Sequence, residues 1–365
     1  MKKYSLLPII MIALLFTACS SDVVTEQTSE GRIPICLNAI VDGAGATRGY
    51  TNTGLRNNTR VWVWADMINL SDSRVTEYFN GWELKATNTS GARLVLGDDS
   101  ENKFFPATNV LNMYSMTGNF SGYAINSRNS LPVSPAFIYH TVNDNQTTEA
   151  GYYNSDLLFS QVLNQEPVLA ADGVNLKFYH MLSRVRVVLI PGNGNTTNDN
   201  YNNDVLRTAT VTLLNVETRV KFTPSKSLTM DELAEQSVRA SMIEVAPKNP
   251  DDAADYEPRR DITINTGVVA YDEHNQVTDA CFGDAIIVPQ TVSAGEFIKV
   301  TLTDPGTELT YDTYFRFDSD FTFESGKQYR FLLTLDRIGN SFELKATIDD
   351  WNNLAGSSMW VEPAN

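Results

Sequence analysis

Apolar residues in this chain recur at every second position in short runs, a spacing that puts them on one face of a β-strand and leaves little place for amphipathic helices. Ile33, Ile35, Leu37, Ala39 and Val41 make the first run, and Val61, Val63 and Ala65 the second. In the last third come Phe321 and Phe323, then Tyr329, Phe331, Leu333 and Leu335, then Phe342, Leu344, Ala346 and Ile348. Further strands are predicted over 91–96 and within the aromatic-rich stretch 104–119. Many short strands between turn signals predict an all-β chain built from sandwiches. Between 176 and 189 the alternation slips from even to odd numbers at Ser183-Arg184, so a bulge or a change of sheet is expected there. One connector helix is predicted over 228–240, where Thr229 and Glu232 have capping-box spacing and Leu228 and Leu233 take hydrophobic-staple positions.

A chain of 365 residues with 42% apolar content can bury two separate cores. The boundary is placed at 171–173, giving an N-terminal β-sandwich domain over 32–172 and a C-terminal one over 173–365. Ahead of them, Lys2 and Lys3 precede an apolar run from Leu6 to Phe16 that is too short to span a bilayer as a mature helix. Ala18 then stands before Cys19. Residues 1–18 read as a lipoprotein signal peptide, Cys19 as the lipidation site bearing palmitate, and 19–31 as a polar tether at the outer membrane.

The formal net charge is −16, and loss of the leader removes two more positive charges. Such a surface repels phosphate backbones and anionic headgroups, so nucleic acid is excluded as a partner and membrane attachment falls to the acyl chains. Cys36 and Cys281 are the remaining cysteines, too few for a disulfide scaffold, and both are expected as buried apolar side chains.

Enzyme signatures are missing: there is no H-E-x-x-H, C-x-x-C, G-x-S-x-G or G-x-x-x-x-G-K-[ST]. His140, His180 and His274 are isolated in sequence and read as structural. Gly192-Asn193-Gly194 lacks the lysine and helix of a phosphate loop, and Asp251, Asp252, Asp255 and Glu257 lack EF-hand spacing. No catalytic residue, cofactor or metal is expected. Trp62, Trp64 and Trp82 leave two readings open, stacking on a sugar or packing on neighbouring strands.

The segment Asp42-Gly43-Ala44-Gly45-Ala46-Thr47-Arg48-Gly49, directly after the first alternating run, is small and loop-like, a composition suited to proteolysis.

Several segments together resemble the fimbrillin family, lipoprotein-derived subunits of type V pili. They are Val61-Trp62-Val63-Trp64-Ala65, Phe104-Phe105-Pro106, Ser155-Asp156-Leu157-Leu158-Phe159, the run from Leu176 to Val185, Ala285-Ile286-Ile287-Val288-Pro289-Gln290, Gly326-Lys327-Gln328-Tyr329 and Ile348-Asp349-Asp350-Trp351. The resemblance implies two transthyretin-like β-sandwich domains in tandem, export as a lipoprotein, and assembly into a cell-surface fimbria by strand exchange. It also implies cleavage between Arg48 and Gly49, with Arg32 and Arg56 poorer candidates. Removal of the strand carrying Ile33, Ile35, Leu37, Ala39 and Val41 then opens a groove for another subunit's C-terminal strand. Other fimbrial subunits are the implied partners. The tail 352–365 lacks the alternation of a shaft donor, which keeps tip, anchor and non-polymerising roles open. The alternative function is a non-polymerising surface lipoprotein that binds a glycan or host ligand, and a hydrolase with paired carboxylates is the third reading.

Overall fold

The computed structural model describes residues 32–42, 55–87, 93–98, 100–121, 129–191, 209–248, 252, 257–264, 283–303, 308–338, 341–348 and 359–361. Strands dominate them, and the three helices among them are short, so the chain is all-β.

The first half supplies β1 (Leu37–Val41), β2 (Arg60–Ile68), β3 (Val75–Ala86), β4 (Leu94–Leu96), β5 (Val110–Thr117), β6 (Phe120–Ser121), β7 (Ile138–Thr141) and β8 (Asn145–Gln146). Helix α1 (Glu149–Asn154) follows, capped by the Thr148 hydroxyl, which accepts from the Gly151 N–H. Then come β9 (Leu158–Gln165) and β10 (Val174–His180). Seven of these form one sheet in the order β1-β10-β9-β5-β2-β3-β4. Its pairs are antiparallel except for β1 with β10, which run parallel.

Two faces of this sheet bury different residues. Leu37, Ala39 and Val41 of β1, Val61, Val63 and Ala65 of β2, Leu111 and Met113 of β5, and Leu176 and Phe178 of β10 share one core. Trp64, Tyr114, Met116 and Phe159, which point the other way, belong to a second core shared with the rest of the chain. The central strands β2, β5 and β9 are therefore covered on both sides, whereas β1 contributes to the first core alone.

The second half begins with β11 (Ser183–Pro191), β12 (Thr210–Glu217), β13 (Arg219–Phe222), β14 (Ile243–Val245), β15 (Arg259–Ile264) and β16 (Gly283–Ile287). It continues with β17 (Gln290–Val292), β18 (Gly295–Thr303), β19 (Thr310–Phe317), β20 (Phe321–Phe323), β21 (Gln328–Ile338), β22 (Ser341–Ile348) and β23 (Met359–Val361). Two five-stranded sheets, β16-β11-β21-β22-β23 and β19-β18-β12-β15-β8, enclose the second core. The chain leaves the first sheet after β10 and enters another at β11, so the parity slip at Ser183-Arg184 is a change of sheet. Exchange between the halves is extensive: β6 and β7 pair into the sheet of β13 and β14, and β8 pairs with β15.

The expected helix over 228–240 is two helices, Met230–Ala234 and Gln236–Ser241. The capping box forms as expected, with the Thr229 hydroxyl accepting from Glu232 N–H and the Glu232 carboxylate accepting from Thr229 N–H. Glu235 is extended, and the break is filled by Arg239, whose Nη1 donates to the Leu233 and Ala234 carbonyls at 3.0 and 2.6 Å. A side chain thereby satisfies carbonyls that a continuous helix would have bonded internally.

Candidate functional site

The first strand is the site on which the sequence reading turns. β1 lies at the edge of the seven-stranded sheet, with Leu37, Asn38, Ala39, Ile40 and Val41 facing Val174, Asn175, Leu176, Lys177 and Phe178 of β10. Its pleat sends Leu37, Ala39 and Val41 inward, all at most 3% exposed, against Phe178, Trp82, Leu84 and Phe105 among others. Ile35 is buried in the same core, and Ile33 packs partly buried against it. Ile33 and Ile35 precede the strand proper, which starts at Leu37 rather than at Ile33. Here the backbone turns to residues 103–105, with Ile35 N–H donating to Lys103 O and Phe105 N–H to Ile33 O, both at 2.8 Å.

Polar contacts pin both ends of β1. Val174 N–H donates to Cys36 O and Asp42 N–H to Phe178 O, each at 2.8 Å, and Lys177 Nζ reaches Asp42 Oδ1 at 2.9 Å. Asn38 Nδ2 donates to the Asp172 carbonyl at 3.0 Å and to Asn175 Oδ1 at 3.1 Å. On the side away from β10, an isolated bridge joins Asn38 to Arg93 beside β4. Arg93 Nη2 donates in turn to Ala170 O at 2.7 Å, so one arginine links the far end of the sheet to the turn that leads into β10. Gly173 in that turn has φ +66°, a conformation glycine adopts without strain.

Cys36 is 1% exposed, as expected, but it is disulfide-bonded rather than a free apolar thiol. Cys19, Arg48, Gly49, His274 and Cys281 lie outside the described residues.

The fimbrillin-like family model matches residues 47–351, most of the chain. The chain belongs to the fimbrillin-like family. That membership places it among fimbrial and adhesin-like subunits, which are structural proteins and not enzymes. No curated protein matches this fimbrillin-like chain in sequence. Two solved structures share its fold. A candidate cell adhesion protein from Bacteroides uniformis, 14% identical, aligns over 89% of this chain and 100% of its own with a TM-score of 0.52. Another from Bacteroides ovatus, also 14% identical, covers 88% of this chain and 98% of its own with a TM-score of 0.53.

Side chains that could have carried other chemistry in this fimbrillin-like chain are occupied structurally. Trp64 is 1% exposed with its Nε1 donating to Asn129 O at 2.9 Å, Trp82 is 4% exposed, and Trp62 packs against the second core. Trp64 and Trp82 therefore present no open ring face for a sugar: Trp64 is covered within the second core, and Trp82 lies inside the first. His140 is fully buried, with Nε2 donating to Ser155 O at 2.8 Å and Nδ1 accepting from Asn119 N–H at 3.1 Å. That pattern fixes the neutral ring, and burial pushes its pKa down to about 4. His180 Nδ1 lies 2.9 Å from Asp156 Oδ2, both buried. Asp252 of the acidic run makes a bidentate pair with Arg219 at 2.7 Å. Among the described residues no group of three or more His, Cys, Asp or Glu is placed to hold a metal.

Sequence reasoning missed a buried ionic cluster. Asp284 on β16 accepts from Arg184 Nη2 at 2.6 Å and from Arg186 Nε at 2.9 Å, with Arg184 only 1% exposed. Desolvation lowers the Arg186 pKa below its ordinary value, offset by Asp284. Arg184 and Arg186 stand one strand position apart from the alternating valines, and that regular offset was the only signal available.

Proposed function

We propose that this chain is exported as a lipoprotein acylated at Cys19 and becomes a structural or adhesive subunit of a cell-surface fimbria. In this reading, cleavage between Arg48 and Gly49 releases β1, and an extended strand from another subunit takes its place beside β10. The observation that carries it is the position of β1: an edge strand whose apolar face serves one core and not the other, followed in sequence by residues of a composition suited to proteolysis. Its loss uncovers Phe178, Leu176 and their neighbours while the second core keeps all its residues. Such a groove exposes on the order of several hundred Å² of apolar surface at about 25 cal/mol per Å², which favours capture of a replacement strand.

The same reading takes the chain as two transthyretin-like sandwich domains, 32–172 and 173–365, with β10 contributed to the first sheet. β23, which pairs with β22 at the edge of its sheet, is the strand nearest the C-terminus and the donor we favour.

N-terminal sequencing of protein taken from the cell surface tests the proposal. A start at Gly49 in high-mass assemblies is expected, and Arg48→Ala should leave a lipidated precursor. An intact Cys19 start in a monomer would instead favour a glycan- or host-binding lipoprotein. Cys19→Ser should abolish palmitate labelling and outer-membrane attachment.

A further inference from the structure

Asp42 directly follows β1, and because Val41 pairs with Phe178 the pleat turns Asp42 to the same side of the sheet as Lys177 and Tyr179. Its N–H donates to Phe178 O at 2.8 Å, and its carboxylate lies 2.9 Å from Lys177 Nζ. Lys177 Nζ also stands 4.9 Å from the centroid of the Tyr179 ring, and Arg239 Cζ stands 5.5 Å from it. Arg239 is 6% exposed, and its buried Nε makes no hydrogen bond. Burial pulls the Arg239 pKa below its ordinary value, and the Asp42 charge opposes that shift. The hydrogen bond that Lys177 gives Asp42 raises the Lys177 pKa. One carboxylate at the end of the strand thus answers two cations on the body, one from the first sheet and one from the helix Gln236–Ser241.

The apolar face of β1 does not set its register by itself. Leu37, Ala39 and Val41 alternate, so a slip of one residue turns them out of the core, but a slip of two keeps every apolar side chain inward. A charge at one end removes that degeneracy, since a two-residue slip carries the carboxylate about 7 Å along the strand and away from Lys177.

We infer that Lys177 and Arg239, gathered at the Tyr179 ring, are a carboxylate-reading site at the end of the β1 groove. The strand that replaces β1 is then an extended segment whose apolar alternation ends in an acidic residue, held parallel to β10 with that residue at the Asp42 position. This rests on the reading of β1 as the replaceable strand. Charge complementarity decides the occupant. Departure of β1 takes Asp42 with it, leaves the buried Arg239 charge without that carboxylate, and uncovers two cations on a chain whose formal net charge is −16. A neutral or basic strand end at that position leaves Arg239 desolvated and gains nothing from Lys177. The acidic end therefore selects among strands of similar apolar pattern, which the groove alone does not distinguish.

The experiment uses the full-length protein with a site for a sequence-specific protease in place of residues 43–47. It is cut and kept in dithiothreitol, because Cys36 is disulfide-bonded. Excess fluorescent peptide of residues 33–44 carrying Cys36→Ser, amidated so that no terminal carboxylate imitates Asp42, then replaces the cut strand, and anisotropy reads its affinity. The ratio of affinities for two such peptides does not depend on the competing cut strand. A peptide with Asp42→Asn should bind about 5–10-fold more weakly than its parent, and about 0.5 M NaCl should narrow the gap. Lys177→Met, at a half-exposed position, should shrink the gap to about 2–3-fold. Equal affinity of the two peptides for the parent protein, or an undiminished gap in Lys177→Met, would overturn the inference and leave strand replacement standing. Binding of neither peptide would overturn the replacement reading and the inference with it.

Discussion

Gln146 and Ile286 exchange two hydrogen bonds of 2.8 Å, the side-chain Nε2 donating to the Ile286 carbonyl and Oε1 accepting from its N–H. An amide side chain thus does for the free edge of β16 what a neighbouring strand would do, and it ties β8 to the sheet of β11. Gln146→Leu leaves a buried donor and acceptor unmet and should cost about 2–4 kcal/mol. Urea unfolding measures it, and an unchanged midpoint would show that the pairing is dispensable.

Asp284 holds two guanidinium groups, one of them fully buried. Asp284→Ala strands both charges and should destabilise by about 3–5 kcal/mol, since removing one partner of a buried pair is costlier than the pair is worth. A melting temperature within a degree or so of the parent would refute this.

Stability should fall as pH drops from about 6.5 to about 4. His140 is neutral when folded, with its pKa lowered to about 4 from 6.5, so in that window the unfolded chain binds more protons. The contribution is present above 6.5, is lost progressively on acidification, and is on the order of 3 kcal/mol. His140→Gln should flatten this part of the profile, read from denaturant midpoints at several pH values. A parallel slope in the variant would assign the effect to other groups.

At Gly173 an added Cβ would lie 2.6 Å from Arg93 Nη1 and 3.0 Å from Asn38 Nδ2, on a backbone with φ +66°. Gly173→Ala should therefore cost about 1–2 kcal/mol and loosen the β1 end of the sheet. Limited proteolysis, read as the cleavage rate within 32–42, should rise relative to the parent. Equal rates would mean that Arg93 gives way without consequence for β1.

Strands with one face in a core were legible, because half-burial writes itself into sequence at period two: Leu37, Ala39 and Val41 are the clearest example. Trp64, Tyr114 and Phe159 were harder. They lie on the opposite parity, and their cover comes from far along the chain, as when Tyr114 Oη donates to Lys226 O. A strand buried on both sides loses its alternation, so the tryptophans looked available for ligands when they were already packed. Gln146 with Ile286 and Arg184 with Asp284 are separated by 140 and 100 residues, and no local pattern announces such pairs. The break at Glu235 escaped notice because the capping box marks where a helix starts and is silent on where it stops.

The parallel register of β1 and β10 also has a mechanical side. All five rungs from Leu37 to Val41 lie along one line of pull, so tension applied lengthwise loads them together in shear. A force from the flank peels them singly. Joints copying this arrangement would give a filament that resists stretching yet can be unfastened sideways.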